Sequence, residues 1–243
     1  MLGAFYPQRR LADFVLGASA QPCPGCGGEP PERGHAYCLG CSVELRVMDR
    51  VDALGLEQEL AWRMPVVSVH ALWWAEAGSR AEALYKALKF GGRRTLGPAL
   101  GRAMARHRER MAPLPDGLVP VPTTIHRTWS RGYNQAHLLA EGMAAHASLP
   151  VYPHLLQRLE GGRNLARLGR NQRNEQAKRD FVQARTVDGG PYRTDQRDLN
   201  GLHLLLVDDV MTSGATLEQC GNLLIRRGAR LSVMVLARRR NRI

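Results

Sequence analysis

Two adjacent acids run straight into a bend of hydroxyls in "HLLLVDDVMTSGATL", residues 203–217. Four apolar residues, Leu204 to Val207, lead to Asp208 and Asp209, and Thr212, Ser213, Gly214, Ala215 and Thr216 follow. Taken alone, this is a buried strand, a solvated turn and a helix cap. Gly214 lets the backbone turn tightly. Consecutive N–H groups in the bend, backed by the positive end of the next helix, form a nest for a phosphate group. The hydroxyls of Thr212, Ser213 and Thr216 add donors. Two carboxylates beside such a nest repel the phosphate unless they face another part of the ligand. A sugar resolves the conflict: Asp208 and Asp209 accept hydrogen bonds from ribose hydroxyls while the bend holds the 5′-phosphate. The pairing suits a ribose 5-phosphate moiety. Reading the acids as a nucleotide-hydrolase strand requires a GxxxxGK[ST] loop upstream, and the chain has none.

A second chemistry stands near the front. "CPGCGG" supplies Cys23 and Cys26, "CLGC" supplies Cys38 and Cys41, and eleven residues separate the pairs. Two Cys-x-x-Cys knuckles let four thiolates converge on one ion, and Gly25, Gly27 and Gly40 permit the turns. Zn²⁺ is the usual occupant of a closed four-sulfur site, where it staples a segment too short to fold on a core of its own. A rubredoxin-like iron site is the alternative. Disulfides require an oxidising compartment. The N-terminal "QRRLADFVLGASAQ" is only superficially a twin-arginine signal, because Asp13 interrupts its apolar core. Leu11, Phe14 and Val15 instead share one face of an amphipathic helix. A cytoplasmic protein is expected. Cys220 lies on a helix face with Leu217, Leu223 and Leu224 and is expected in the core.

The elements around these residues alternate. "VVSVHALWW" (66–74) reads as a strand after a mixed helical stretch over 42–65. Ser79 and Glu82 make a capping-box pair ahead of a helix that buries Leu84, Tyr85 and Leu88 and ends at "KFGG". A helix over 95–110 turns Leu96, Leu100 and Met104 inward and a basic face outward. "GLVPVPTT" is a short strand entering a turn, and 134–147 is another helix. The quoted strand follows, then a helix from Thr216 to Arg227, then the strand "LSVMVLA". Near-continuous apolar strands alternating with helices imply a parallel sheet covered on both faces. Residues 157–180 hold seven basic and three acidic side chains, a composition that fits an exposed segment. No run of about 18 apolar residues exists, so no membrane span is expected. The formal charge of +12 favours polyanions: nucleic acid, anionic lipid or phosphorylated small molecules.

"LLLVDDVMTSGATL" resembles the phosphoribosyl diphosphate (PRPP) signature of type I phosphoribosyltransferases. Together with the front Cys-x-x-Cys pairs, "KFGG" (89–92) and "VPVPTTIHRTWSRGYNQAHLLA" (119–140), it resembles the ComF family of competence proteins, also called ComFC or GntX-like. "RGYNQ" after "PVP" is the most family-specific element. The resemblance implies an α/β type I phosphoribosyltransferase fold, a central, mainly parallel sheet flanked by helices, over residues 51–243. Residues 1–50 form an N-terminal helix and zinc module. It implies that Asp208 and Asp209 bind ribose, Thr212 to Thr216 its 5′-phosphate, and Pro122, Thr123 and Thr124 the pyrophosphate. By the same resemblance Arg131 falls in the loop that would close over the site, its alternative being a solvated arginine, and Lys89 either reaches the pyrophosphate or caps its own helix. Mg²⁺ accompanies PRPP, with few direct protein ligands. One departure is visible: the family's Gln and Asn ahead of the aromatic that Phe181 matches fall at Leu165 and Gln176.

Two functions are compatible with this pattern. One is transfer of ribose 5-phosphate from PRPP to an acceptor, driven by positioning and charge stabilisation through Mg²⁺, Arg131 and backbone N–H groups. The other, implied by the resemblance, is handling of incoming single-stranded DNA in natural transformation, with a competence helicase or another DNA-uptake protein as a partner. Basic faces would then supply the electrostatic track, with Trp73, Trp74, Trp129 and Tyr133 as the candidate stacking aromatics, of which Trp73 and Trp74 are expected in the core instead.

Overall fold

The structure is a computed structural model, and it describes residues 21–32, 34–108, 114–123, 132–158, 181–183 and 198–239. The N-terminal helix expectation, Thr124, Trp129, Arg131 and nearly all of the basic 157–180 segment lie outside the described residues. A short helix α1 (Leu39–Glu44) carries the last cysteine. Next come α2 (Arg50–Ala61), β1 (Ser68–Ala75), α3 (Arg80–Phe90), α4 (Leu96–Arg108) and β2 (Gly117–Pro120). They are followed by α5 (Gln135–Ala147), a two-stranded pair of β3 (Leu156–Arg158) and β4 (Phe181–Gln183), β5 (His203–Met211), α6 (Ala215–Ile225) and β6 (Arg230–Arg239).

The main sheet has the order β1-β6-β5-β2, with every neighbouring pair parallel. Parallel strands feed helices onto both faces, so side chains of both parities must be apolar. Leu204 and Leu206 of β5 join Val69 of β1 and Leu217 and Leu224 of α6 on one face, where α2 also packs. Leu205 and Val207 point the other way, into Leu84 and Leu88 of α3, Leu100 of α4 and Leu139 of α5. All four β5 residues are fully buried, each contributing about 1.5–3 kcal/mol of transfer free energy.

Several local expectations shift. β5 carries the two acids within it, because β6 keeps pairing as far as Met211 opposite Arg238. The Ser79 hydroxyl accepts from the Glu82 N–H at 3.2 Å, but the Glu82 carboxylate takes the Gly78 N–H at 2.8 Å, so the box closes one residue early. A reciprocal box forms instead at α2, between Asp49 and Asp52.

Helices α4 and α5 cross almost backbone to backbone. A Cβ on Gly142 would stand 2.2 Å from the Pro98 carbonyl oxygen. Gly142→Val therefore forces the helices apart, and urea titration should show a loss of about 3 kcal/mol.

The opposite end of the sheet holds a buried polar chain, with Ser68 Oγ 2.9 Å from Ser232 Oγ and Ser232 Oγ 2.8 Å from His203 Nε2. His70 beside it is 2 % exposed, with no hydrogen-bond partner for either ring nitrogen among the described residues. Burial, with Arg108 and His107 near, pulls it from 6.5 down to about 4. Between those values the unfolded chain binds the extra proton. Stability present above 6.5 is thus lost as pH falls toward 4, by up to about 3 kcal/mol. Denaturation from neutral pH down to about 4 should show that slope, and His70→Leu should flatten it.

Candidate functional site

Where β2 and β5 lie side by side, the helices that follow them leave for opposite faces: α5 joins the α3/α4 layer and α6 the α2 layer. Such a divergence leaves a crevice at the carboxyl ends of the two strands. β2 stops at Pro120, opposite Val207, and Val121 makes the last bond, its N–H to the Val207 carbonyl at 2.9 Å. Beyond it no strand among the described residues pairs with β5 on that side from Asp208 onward. A cavity of about 140 Å³ opens there. Pro122 and Thr123 line it from the turn after β2, and Asp208, Asp209 and Thr216 from β5 and α6. Lys89 enters from α3.

The two acids leave the strand on opposite sides, as successive strand residues do. Asp209 faces the α3 layer, its Oδ2 3.4 Å from Lys89 Nζ, and its Oδ1 accepts the Val210 N–H at 2.8 Å. Lys89, in the last turn of α3, is thus paired with Asp209 where it lines the cavity. Asp208 faces the α6 layer, where burial and then its charge push the Cys220 thiol well up. Its Oδ1 accepts the Asp209 N–H at 2.8 Å. Burial, reinforced by the Asp209 charge, drives the Asp208 carboxyl well above the usual range, against the opposing pull of that N–H and of Lys89. Two acidic side chains, Asp208 and Asp209, and two basic ones, Lys89 and Arg158, thus line one cavity, where the acids offer acceptors to hydroxyl donors.

Gly214 begins α6 with φ 74°, and no side chain caps the helix. Its first N–H groups remain open to a ligand. Thr216 lines the cavity; Thr212 and Ser213 are exposed, Ala215 is half-buried and Gly214 buried, and these four lie outside the cavity lining.

Three lining residues had been given no role: Asn134 and Gln135, which close the quoted RGYNQ stretch, and Arg158. The signal for Asn134 is local. Its Oδ1 accepts the Ala136 N–H at 3.0 Å as the N-cap of α5, and its amide donates to the Val121 carbonyl at 3.0 Å. Gln135 is 5 % exposed, and its Nε2 has no hydrogen-bond partner among the described residues. Arg158 sits on β3, too far along the chain for any spacing rule.

The four cysteines converge as expected, with Cys23 and Cys41 sulfurs 3.7 Å apart, Cys26 and Cys38 3.6 Å apart, and all four within 4.8 Å. Four sulfurs about 2.3 Å from one ion form a tetrahedron with edges of about 3.8 Å, so the cluster can hold a metal ion. A Cβ at Gly25 would stand 2.8 Å from the Cys41 sulfur, which explains the glycine inside the first knuckle. Burial opposes ionisation of Cys23, yet the N–H groups of Cys38, Gly25 and Cys26 outweigh it and bring the thiol down to about 6. Cys220 is fully buried in the core.

The larger cavity, about 390 Å³, adjoins this module. Its arginines are engaged: Arg93 donates to the Pro22 carbonyl at 2.9 Å and Arg102 to the Gly34 carbonyl at 3.3 Å. Part of the basic face of α4 therefore ties down the cysteine module. Of the aromatics expected to stack bases, Trp73 and Tyr133 are buried and Trp74 is half-buried under Arg46. Trp62, at the end of α2, is 92 % exposed and was not anticipated. No helix among the described residues is long and apolar enough to cross a membrane.

The chain is similar in sequence to several known proteins. Residues 144–243 match the phosphoribosyl transferase domain. Competence protein F of Haemophilus influenzae is 29 % identical over 222 residues, covering 89 % of this chain and 90 % of that protein. DNA utilization protein YhgH of Salmonella typhi is 31 % identical over 147 residues, 58 % of this chain and 60 % of that one. Competence protein ComFC of Bacillus subtilis is 29 % identical over 116 residues, 48 % and 41 % of the two chains. Among solved structures, adenine phosphoribosyltransferase from Leishmania tarentolae is 13 % identical, with a TM-score of 0.34 over 59 % of this chain and 71 % of that one.

Proposed function

We propose that this chain, a homologue of competence protein F, ComFC and YhgH with a phosphoribosyl transferase domain, binds PRPP in the β2–β5 cleft and acts in DNA uptake. One observation carries the reading: an acid pair at the end of β5 is joined, within one bend, to an uncapped helix N-terminus at the point where the flanking helices diverge. Asp208 and Asp209 reach the ribose diol from either side of the strand end. Thr212 to Thr216 receive the 5′-phosphate through N–H groups and hydroxyls, and Pro122, Thr123 and Thr124 border the pyrophosphate. Lys89 releases Asp209 to the sugar and turns its ammonium to the pyrophosphate. Arg131 closes over the ligand. Mg²⁺ would accompany PRPP with few direct protein ligands, and its charge would offset that of the pyrophosphate.

The relatives' names supply the biological setting: two are competence proteins and one a DNA utilization protein. In that setting the partner is single-stranded DNA in the cytoplasm, suited by the +12 surplus and by exposed Trp62 as a stacking surface. Zn²⁺ is the metal that the four-cysteine cage fits, as a staple of residues 1–50 against the transferase-like domain over 51–243. Calorimetric titration with PRPP and Mg²⁺ tests the reading. Saturable one-site binding displaced by ribose 5-phosphate is expected, and absence of binding would overturn it.

A further inference from the structure

The bend between β5 and α6 is held from behind by two arginines far from it in sequence. Arg238, near the end of β6, donates Nη1 to the carbonyl oxygens of Thr212 and, at 3.4 Å, Met211. Its Nη2 is locked on Glu59 of α2, 2.9 and 2.8 Å from the two carboxylate oxygens. Arg63, just past α2, donates Nη1 to the Ser213 carbonyl and lies 3.9 Å from Glu218 Oε2. Leu60 of the same helix closes on the bend as well: a Cβ at Gly214 would stand 2.9 Å from its Cδ2.

These bonds have a directional consequence. In a trans peptide the C=O and the following N–H point opposite ways. Drawing the Thr212 and Ser213 carbonyls toward α2 turns the N–H groups of Ser213 and Gly214 to the other side of the bend. The next carbonyl, Gly214, already accepts the Glu218 N–H at 2.9 Å as the first bond of α6. Three consecutive peptide units are thereby oriented before any ligand arrives. Charge-assisted bonds to the carbonyls also polarise those units and make their N–H groups better donors.

We propose that α2 is a latch for the anion-binding bend, with Arg63 and Arg238 as positioning residues and Glu59 as the anchor of the second. The latch rests on the reading of the cleft as a site for a ribose 5-phosphate moiety. Glu59 and Arg63 lie outside the 144–243 region that matches the transferase domain, so the segment between the cysteine module and β1 is a working part of the site.

The test uses the full chain and two separate probes, ribose 5-phosphate and inorganic pyrophosphate. Arg63→Ala should weaken ribose 5-phosphate binding about tenfold or more while leaving pyrophosphate affinity unchanged. Arg63→Lys, which keeps a donor and the charge, should recover part of the loss. Glu59→Gln frees Arg238 without removing an arginine and should weaken the same probe in the same direction; it decides the matter if Arg63→Ala folds poorly. Unchanged ribose 5-phosphate affinity in both variants, or an equal loss for both probes, overturns the latch. Failure of the wild-type chain to bind ribose 5-phosphate overturns the reading beneath it instead.

Discussion

Replacing Asp208 and Asp209 together by asparagine should abolish measurable PRPP binding and leave the fold intact. Each carboxylate offers a charge-assisted hydrogen bond to a ribose hydroxyl, and such bonds contribute about 1.5–3 kcal/mol each. Losing both weakens binding by about a hundredfold to ten-thousandfold. The fold should survive because asparagine keeps the shape and an Oδ1 that can still accept the Asp209 and Val210 N–H groups. Stability should even rise. The wild-type Asp208 carboxyl is held well above its usual range by burial and by its acidic neighbour. At neutral pH such a group costs the folded state stability, and an amide removes that cost. Lys89, 28 % exposed in its side chain, can turn to solvent when Asp209 is neutralised. A higher melting temperature with no PRPP heat in calorimetry is the expected pair of results. Retained PRPP affinity would show that the acids do not hold the ribose.

Stripping the metal from the cysteine module should have a comparably large effect, confined at first to one end of the molecule. Structural Zn²⁺ in small modules contributes about 10–16 kcal/mol of apparent binding free energy that is also folding free energy. Metal analysis should find one zinc per chain, and Cys23→Ser with Cys38→Ser should find none. The consequence can be followed inside the core. Tyr37, between the two knuckles, packs edge-on against the fully buried Trp73 with ring centroids 5.5 Å apart. Unfolding of the module removes that contact, so near-ultraviolet circular dichroism should fall while much of the far-ultraviolet signal remains. The bridge between Val47 and Trp73 should loosen with it, which carries the disturbance toward α2. Intact aromatic dichroism in a zinc-free chain would show that the cage is not the staple.

Both sites could be found in the amino-acid order because each is written in a short span. Cys23, Cys26, Cys38 and Cys41 declare themselves through knuckle spacing, since a turn brings i and i+3 sulfurs together regardless of the surrounding fold. The strand–bend–helix from His203 to Ile225 is equally local: four apolar residues, two acids, a glycine that must adopt positive φ and a helix. The core helices α3, α4 and α5 were legible through periodicity, with Leu84, Leu88, Leu100 and Met104 all inside. How far the strand runs past the acids was not legible, because it is continued pairing with β6 that extends it to Met211.

The sequence by itself determined that the chain carries a four-cysteine cluster, a parallel α/β core and an acid pair followed by a hydroxyl-rich bend. Tertiary structure alone decided which partners those residues meet. Lys89 reaches Asp209 across 120 positions, and Arg63 reaches Ser213 across 150. It also decided that the two acids face opposite helix layers and that the cleft opens between β2 and β5. The physical reason is that local patterns set backbone conformation and side-chain parity. Contacts between distant segments follow from strand order and register, which emerge only when both faces of the sheet are covered at once.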